Sequence, residues 1–355
     1  MRGRALLLPA LLGGCIPPGD RDRPETPAPQ TAPSPELVEP SPRALPQEEQ
    51  VEALPAPRPA WEARPVVPDA LTAPESTYTV RRGDGLARVA AVTGAGAGAI
   101  ARANGLRPPY PLRVGQRLRV PGGRYHLVRP GESGIAIARA YGVEWSRIVA
   151  ANALAEPYTL RAGRRIDIPA PAAGRSGAAE RAAAFRLDID DIITGGEPAL
   201  AAGRAPAPPV RSPARVVPAT TAVASPTALR SAFTWPVDGR VVARFGPGRS
   251  GERLNGVKIA VPADTPVKAA ADGTVAYAGD AVAGLGGVVI LRHGGGWISV
   301  YGHASKLLVR RGQAVKRGEP LALSGETGSA DRPEVHFELR RGRTPVDPLA
   351  QLPAS

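Results

Sequence analysis

The chain has 355 residues, of which 41 are Gly and 41 are Pro, and only 4% are aromatic. This composition excludes a single large hydrophobic core and predicts two or three small domains joined by loose segments. Lys and Arg number 45 against 32 Asp and Glu, so the formal net charge of +13 favours anionic partners. No nucleic-acid-binding module is recognisable and the Arg residues are scattered along the chain. We therefore expect that the anionic partners do not include nucleic acid.

The N-terminus predicts an exported lipoprotein. A basic start followed by an apolar run gives residues 1–14 the layout of a signal peptide. The ending Leu-Gly-Gly-Cys resembles a bacterial lipobox, which implies that Cys15 is lipidated, although a plain secretory signal is the alternative. The residue after the cysteine is Ile16 and not Asp, which in such lipoproteins implies the outer membrane, facing the periplasm. No later stretch reaches the ~18–20 apolar residues of a membrane span.

Two stretches are expected to be disordered, residues 15–76 as a Pro/Ala/Glu-rich tether and residues 171–232 as a Pro/Ala-rich linker. Within the linker, residues 185–193 carry three carboxylates among apolar residues. These predict either a cation site or a short amphipathic segment that docks on a neighbour. We favour docking, because the Gly and the twelfth-position Glu of an EF-hand loop are missing.

An internal repeat lies between these stretches, over residues 77–122 and 124–170. Gly83 and Gly131 are 48 positions apart, and three further pairs share this spacing: Asn104 and Asn152, Gly115 and Gly163, Pro121 and Pro169. Each copy reads as strand, helix, helix, strand. We expect each second helix to end at its Asn, in a left-handed C-cap.

The sequences "VRRGDGL", "IARANGL" and "LRVGQRLRVP", with their counterparts "VRPGESG", "IVAANAL" and "LRAGRRIDIP", resemble LysM domains. The resemblance implies two small α+β modules that bind the glycan strands of peptidoglycan. An unrelated αβ repeat is the alternative. We assign glycan binding to matched positions of the two copies: Gly83, Asp84 and Asn104 in the first, and Gly131, Glu132 and Asn152 in the second.

Residues 233–353 alternate short strand-like runs with Gly turns, which predicts an all-β domain. The segments "WPVDGRVVARFG", "GGVVILRHGGGWISVYGHAS" and "PEVHFELRRGRTPVDPL" resemble the LytM (lysostaphin-type) zinc peptidase family. The predicted architecture is therefore multi-domain: two LysM-like modules and an all-β LytM-type fold, joined by disordered linkers.

The resemblance implies zinc ligands at four-residue spacing, His then Asp, and a third ligand from a His-x-His pair. In this sequence the first two positions hold Leu254 and Lys258, and the pair reads Glu334 and His336. His303 matches a separate catalytic His. Leucine cannot ligate a metal and an ammonium repels one, so we expect no catalytic residue, no metal and no cofactor.

The whole arrangement resembles NlpD-like murein hydrolase activators, which implies a non-catalytic lipoprotein that activates periplasmic N-acetylmuramoyl-L-alanine amidases during cell division. Leu254 is expected to make the emptied groove more apolar, and Arg253 and Arg340 to add positive charge near it. Two alternatives stay open. One is a zinc-dependent D,D-endopeptidase with an atypical site, and the other is a passive peptidoglycan-binding anchor.

Overall fold

A computed structural model describes residues 59–170, 187–212, 215–248 and 253–354. The predicted signal peptide at 1–14, the lipidation site Cys15 and most of the predicted tether lie outside these residues. Within the described ranges, no helix has both the length and the apolar character needed to cross a membrane.

The end of the predicted tether is folded. Residues 59–76 contain the short helix α1 (Ala60–Ala63) and the strand β1 (Leu71–Ala73). Trp61 of α1 is buried, and its ring stacks on Tyr277 with centroids 5.5 Å apart. The tether prediction is therefore wrong for this stretch, because the buried Trp61 and the pairing of β1 with β4 anchor it to the folded part of the chain.

The first module has the predicted βααβ order: β2 (Ser76–Thr79), α2 (Leu86–Thr93), α3 (Ala97–Ala103) and β3 (Arg117–Val120). Strands β2 and β3 are antiparallel. Helix α2 has one apolar face, and its residues Leu86, Val89 and Ala90 are buried.

The second module repeats this order with β4 (Gly123–Leu127), α4 (Gly134–Tyr141), α5 (Trp145–Asn152) and β5 (Arg165–Asp167). Strand β1 pairs with β4, so the sheet order is β1-β4-β5. The modules also contact each other, since the Arg102 guanidinium donates to the carbonyls of Ala151 and Asn152 at 2.8 and 2.9 Å.

Each second helix ends at its Asn, as predicted, but the predicted left-handed conformation of the Asn itself is wrong. Asn104 has φ −115°, and Asn152 is the last residue of α5. The left-handed residues are those that follow, Gly105 (φ 63°) and Ala153 (φ 47°). Each Asn side chain is instead bonded to the last strand of its module, which is a tertiary contact that local sequence does not reveal.

The predicted linker contains folded structure from residue 187 onward. Residues 189–195 form α6 (Ile189–Gly195), whose Ile192 and Ile193 are buried. The Trp145 indole donates to Thr194 Oγ1 at 3.0 Å, and a Cβ added at Gly195 would lie 2.7 Å from that indole. The segment docks, as the amphipathic interpretation predicted.

The C-terminal domain is built on a sheet of ten strands with the order β14-β11-β12-β13-β16-β9-β6, in which β10 pairs with β15, β15 also with β13, and β17 with β16. The ribbon β7–β8 stands apart from this sheet. The strands are β6 (Arg240–Ala243), β7 (Gly246–Pro247), β8 (Arg253–Leu254), β9 (Val257–Ala260), β10 (Pro266–Lys268), β11 (Gly273–Val282), β12 (Gly286–Gly294), β13 (Trp297–Leu307), β14 (Ala314–Val315), β15 (Pro320–Ser324), β16 (Glu334–Arg341) and β17 (Thr344–Val346).

The two faces of β16 carry different kinds of side chain. Successive side chains of a strand point to opposite sides, so alternate residues share a face. Val335, Phe337 and Leu339 belong to the main core of the domain. The alternate residues Glu334, His336, Glu338 and Arg340 are buried on the other face. A second apolar cluster joins that face to the modules, through Trp61, Ile135 and Ile192 against Ile290, Ile298 and Val300.

Candidate functional site

Four of the five predicted zinc-site positions come together on the second face of the sheet. Strand β16 places His336 opposite Lys258 of β9 on one side and opposite Gly302 of β13 on the other. His303 follows Gly302, and its ring centroid lies 6.0 Å from that of His336. Glu334 completes the cluster, which we call the groove cluster: Lys258, His303, Glu334 and His336.

A buried ion pair dominates the groove cluster. The Lys258 ammonium lies 2.6 Å from Glu334 Oε1. The Glu334 side chain is 2% exposed and that of Lys258 is 26% exposed, so the carboxylate is buried and its partner side chain is partly exposed. A carboxylate removed from water needs such a partner, because an unpaired buried charge is strongly destabilising.

His303 is held in one tautomer with a free nitrogen. Its Nδ1–H donates to the Thr327 carbonyl at 2.8 Å, which leaves a lone pair on Nε2. That nitrogen is buried without a hydrogen-bond partner, 3.8 Å from Glu334 Oε1. Burial, with the positive charges of His336 and Lys258, lowers the pKa of His303 and favours the neutral ring.

The backbone at His303 is strained. Its φ of 65° lies in the left-handed region that non-glycine residues seldom adopt. Its N–H donates to the Leu285 carbonyl at 2.7 Å, which fixes this conformation. Strain of this kind is retained where a side chain has to be aimed, and here it directs the imidazole toward Glu334.

His336 begins a chain of ion pairs that leads out of the groove cluster. Its Nε2–H donates to Glu338 Oε1 at 2.9 Å, and Arg340 Nη1 donates to Glu338 Oε2 at 2.7 Å. Arg340 also bonds Asp190 of α6. Burial alone would raise the pKa of Glu338, but the hydrogen bond from His336 and the charges of His336 and Arg340 hold it below its usual range.

The expectation of free positive charge from Arg340 is wrong. Its side chain is 4% exposed and is neutralised by two carboxylates. Arg253 lies on the β8 ribbon, with its guanidinium over the Phe245 ring at 5.8 Å. Leu254 is the neighbouring residue on that ribbon, half-buried and paired with Gly246.

A catalytic zinc takes three protein ligands and one open position. Among the described residues, no three His, Cys, Asp or Glu side chains are placed to hold a metal together. Glu334 is paired with an ammonium, and His336 Nε2 is bonded to Glu338. His303 Nε2 is buried without a hydrogen-bond partner, so its lone pair is free.

The polar side chains predicted to bind glycan make hydrogen bonds within their own modules. Asn104 Nδ2 donates to two carbonyls and its Oδ1 accepts from the Arg119 N–H, and Asn152 makes the same three bonds in the second module. Asp84 Oδ2 accepts from Tyr78 and from the Arg81 N–H.

Glu132 is 1% exposed and accepts from His126 and from the Arg129 N–H. The turn glycines Gly83 and Gly131 both have φ 82°, as turns of this kind require. Position 83 is open, whereas a Cβ at 131 would meet Thr220 at 3.2 Å.

Sequence reasoning missed Glu338, Asp190 and Thr327. Glu338 has a local signal, since it follows His336 by two residues and so shares its face of the strand. Asp190 lies 150 residues from Arg340, a contact that only the fold creates. The remaining histidine of the domain, His293, is structural: it bonds the Asp272 carbonyl and Ser299, and burial lowers its pKa to about 4.

Two domain families match this chain. The LysM domain model matches residues 78–121 and 126–169, and the peptidase family M23 model matches residues 252–348. The two LysM matches coincide with the βααβ modules, and the M23 match includes all five predicted groove positions.

Three relatives illustrate the likeness. Cell division protein DipM of Caulobacter vibrioides is 41% identical over 34% of this chain and 21% of its own length. The lipoprotein NlpD/LppB homolog of Pseudomonas aeruginosa is 44% identical over 38% of this chain and 44% of its own length. This chain thus spans less than half of either. Murein hydrolase activator NlpD of Salmonella dublin is 30% identical over 78% of this chain and 68% of its own length. The chain therefore belongs to the family of the murein hydrolase activator NlpD.

Proposed function

We propose that this protein is a non-catalytic, wall-binding lipoprotein that activates N-acetylmuramoyl-L-alanine amidases for peptidoglycan cleavage during cell division. The observation that carries the proposal is the ion pair between Lys258 and Glu334, inside a domain of a zinc peptidase family. The relatives are named as a murein hydrolase activator and a cell division protein, which supports the same role.

The charges of the groove cluster support the proposal that no zinc is bound. A dication placed between His303 and His336 would sit beside the Lys258 ammonium, and it would compete with that ammonium for Glu334. Leu254 supplies no donor atom. His336 would also have to give up its bond to Glu338 before its Nε2 lone pair became available. Displacing the Lys258 ammonium and breaking the His336–Glu338 hydrogen bond both cost free energy. A site whose ligands are already oriented toward the metal has no such cost.

Without a metal, the groove cluster is suited to contact with a partner. The Lys258 side chain is partly exposed, and the half-buried Leu254 lies four residues earlier in the chain, on the β7–β8 ribbon. A cation and an apolar side chain four residues apart in the chain fit a partner segment that carries both a carboxylate and an apolar residue. We propose that the amidase supplies this segment.

Wall attachment is assigned to the LysM modules and to the N-terminus. Binding to the glycan strands of peptidoglycan is proposed for the LysM region, in keeping with the family of its domains. Two relatives are named as lipoproteins, which supports lipidation of Cys15 and an envelope location. We propose the outer membrane, facing the periplasm, on the strength of Ile16.

The test adds the purified full chain to a purified amidase and dye-labelled murein, and it measures the release of soluble dye. We expect release to rise at least tenfold above that by the amidase alone. Leu254→Glu should abolish the rise, whereas Leu308→Glu, at another partly exposed leucine of the same domain, should preserve it. Binding of both variants to murein should be unchanged.

The same assay separates the two alternatives. A passive anchor would bind murein and leave amidase activity unchanged. A D,D-endopeptidase would cleave peptide cross-links without any amidase, which analysis of the muropeptides would reveal. Either outcome would overturn the proposal.

A further inference from the structure

The two LysM modules present the same pair of loops, but other residues of the chain cover this pair in only one module. With the repeat of 48 residues, the turn at Gly83 corresponds to that at Gly131, and the loop at 112–115 corresponds to 160–163. In each module the turn after the first strand and the loop before the last strand lie side by side, since a backbone bond joins them: Gly115 N–H to the Val80 carbonyl, and Gly163 N–H to the Val128 carbonyl. We call the space along these two loops the slot.

In the second module the chain itself fills the slot. The segment 198–200 runs along it and makes four backbone hydrogen bonds. Ala199 donates to the Glu132 carbonyl at 2.6 Å and accepts from the Gly131 N–H at 3.2 Å. Leu200 donates to the Leu160 carbonyl at 2.9 Å and accepts from the Ala162 N–H at 2.8 Å.

Burial follows the same pattern. Gly131, Glu132 and Ser133 are buried beneath this segment, with Thr220 above Gly131. Ala199 and Leu200 are themselves only 4% and 8% exposed, and Ala199 belongs to the core of the module. The segment is therefore an integral part of the second module.

The slot of the first module is open. Gly83 and Gly85 are exposed, and nothing lies within 4 Å of a Cβ added at either position. Val114, the counterpart of Ala162, is 70% exposed. In the described part of the chain, no backbone bond occupies the Gly83 and Val114 N–H groups or the Asp84 and Leu112 carbonyls.

We propose that the segment 198–200 is a built-in occupant of the second slot, and that the first module alone offers its slot to glycan. The inference rests on the proposed wall-binding function. The occupant indicates the ligand chemistry: the slot presents two N–H donors and two carbonyl acceptors to the amide groups of an extended chain. The acetamido groups of N-acetylglucosamine residues carry the same N–H and carbonyl pair along a glycan strand.

The turn geometry provides a matched pair of variants. Residues 113–116 form a turn closed by the Gln116 N–H and the Arg113 carbonyl, with Gly115 at φ 83°; residues 161–164 form its counterpart, with Gly163 at φ 85°. Such a turn favours Pro at its second position, which is Val114 or Ala162. Val114→Pro and Ala162→Pro therefore each remove one slot N–H while suiting the turn.

The experiment titrates the full chain with the hexasaccharide of N-acetylglucosamine in a calorimeter. We expect one site per chain, with affinity lowered at least tenfold by Val114→Pro and preserved by Val114→Ala and by Ala162→Pro. Two equivalent sites, or loss of affinity in Ala162→Pro alone, would overturn the proposal.

Amide hydrogen exchange on the same samples tests the occupant without any sugar. The Ala162 and Leu200 amides should be protected, and those of Gly83 and Val114 should exchange freely. Rapid exchange at Leu200 would refute the occupied slot. Protection at Leu200 together with no sugar binding would instead refute the glycan-binding role of the first module, so the two failures are distinguishable.

Discussion

Replacing Lys258 with Met tests whether the Lys258 ammonium compensates the buried negative charge of Glu334. The variant keeps the apolar stem and removes the charge 2.6 Å from a carboxylate that is 2% exposed. Leaving one partner of a buried pair uncompensated costs about 3–5 kcal/mol. Glu334→Gln should cost less, about 1–2 kcal/mol, because the partly exposed ammonium stays hydrated and the amide oxygen still accepts from it.

The double variant Lys258→Met with Glu334→Gln removes both charges, so its loss should be smaller than the sum of the single losses by about 2 kcal/mol or more. Amide hydrogen exchange of peptides covering β16 reports the opening free energy of this part of the sheet. The reasoning is refuted if Lys258→Met costs less than about 1 kcal/mol, or if the two changes are additive.

Three further predictions concern the surrounding structure. Burial, with the charges of Asp188 and Asp190, raises the pKa of Asp191 to about 7 from its usual 3.8. The ionised form therefore destabilises the fold increasingly as pH rises from about 4 to 7, and Asp191→Asn should raise Tm at pH 8 but leave it unchanged at pH 4. Asn152→Ala removes three hydrogen bonds and should cost the second module about 2–3 kcal/mol in urea unfolding, without changing amidase stimulation. Gly195→Ala places a Cβ 2.7 Å from the Trp145 indole and should speed limited proteolysis within 187–200, although Ala favours helices over Gly.

Much of the architecture follows from sequence because it depends on local periodicity. The repeat of 48 residues and the apolar faces of α2 and α4 are enough to predict two βααβ modules, and short strands with Gly turns predict the all-β domain. Four of the five groove positions lie together because β16 pairs with β9 on one side and with β13 on the other.

What the sequence conceals is long-range contact within Pro- and Ala-rich segments. Residues 187–212 read as a linker by composition, yet Ile192 and Ile193 bury against the sheet, and Asp190 pairs with Arg340. The roles of Asn104 and Asn152 were hidden for the same reason. A polar residue that recurs at the same position of a repeat can bind a ligand, or it can join two elements of its own module. The hydrogen bonds of these Asn side chains to β3 and β5 show the second role.

The central claim is that the groove cluster holds an ion pair where zinc peptidases hold a metal. It is tested most directly by equilibrating the purified full chain with zinc, removing free metal by dialysis and measuring zinc per chain by mass spectrometry. We predict far less than one equivalent, unchanged by His336→Ala. One equivalent of zinc that His336→Ala abolishes would contradict the account.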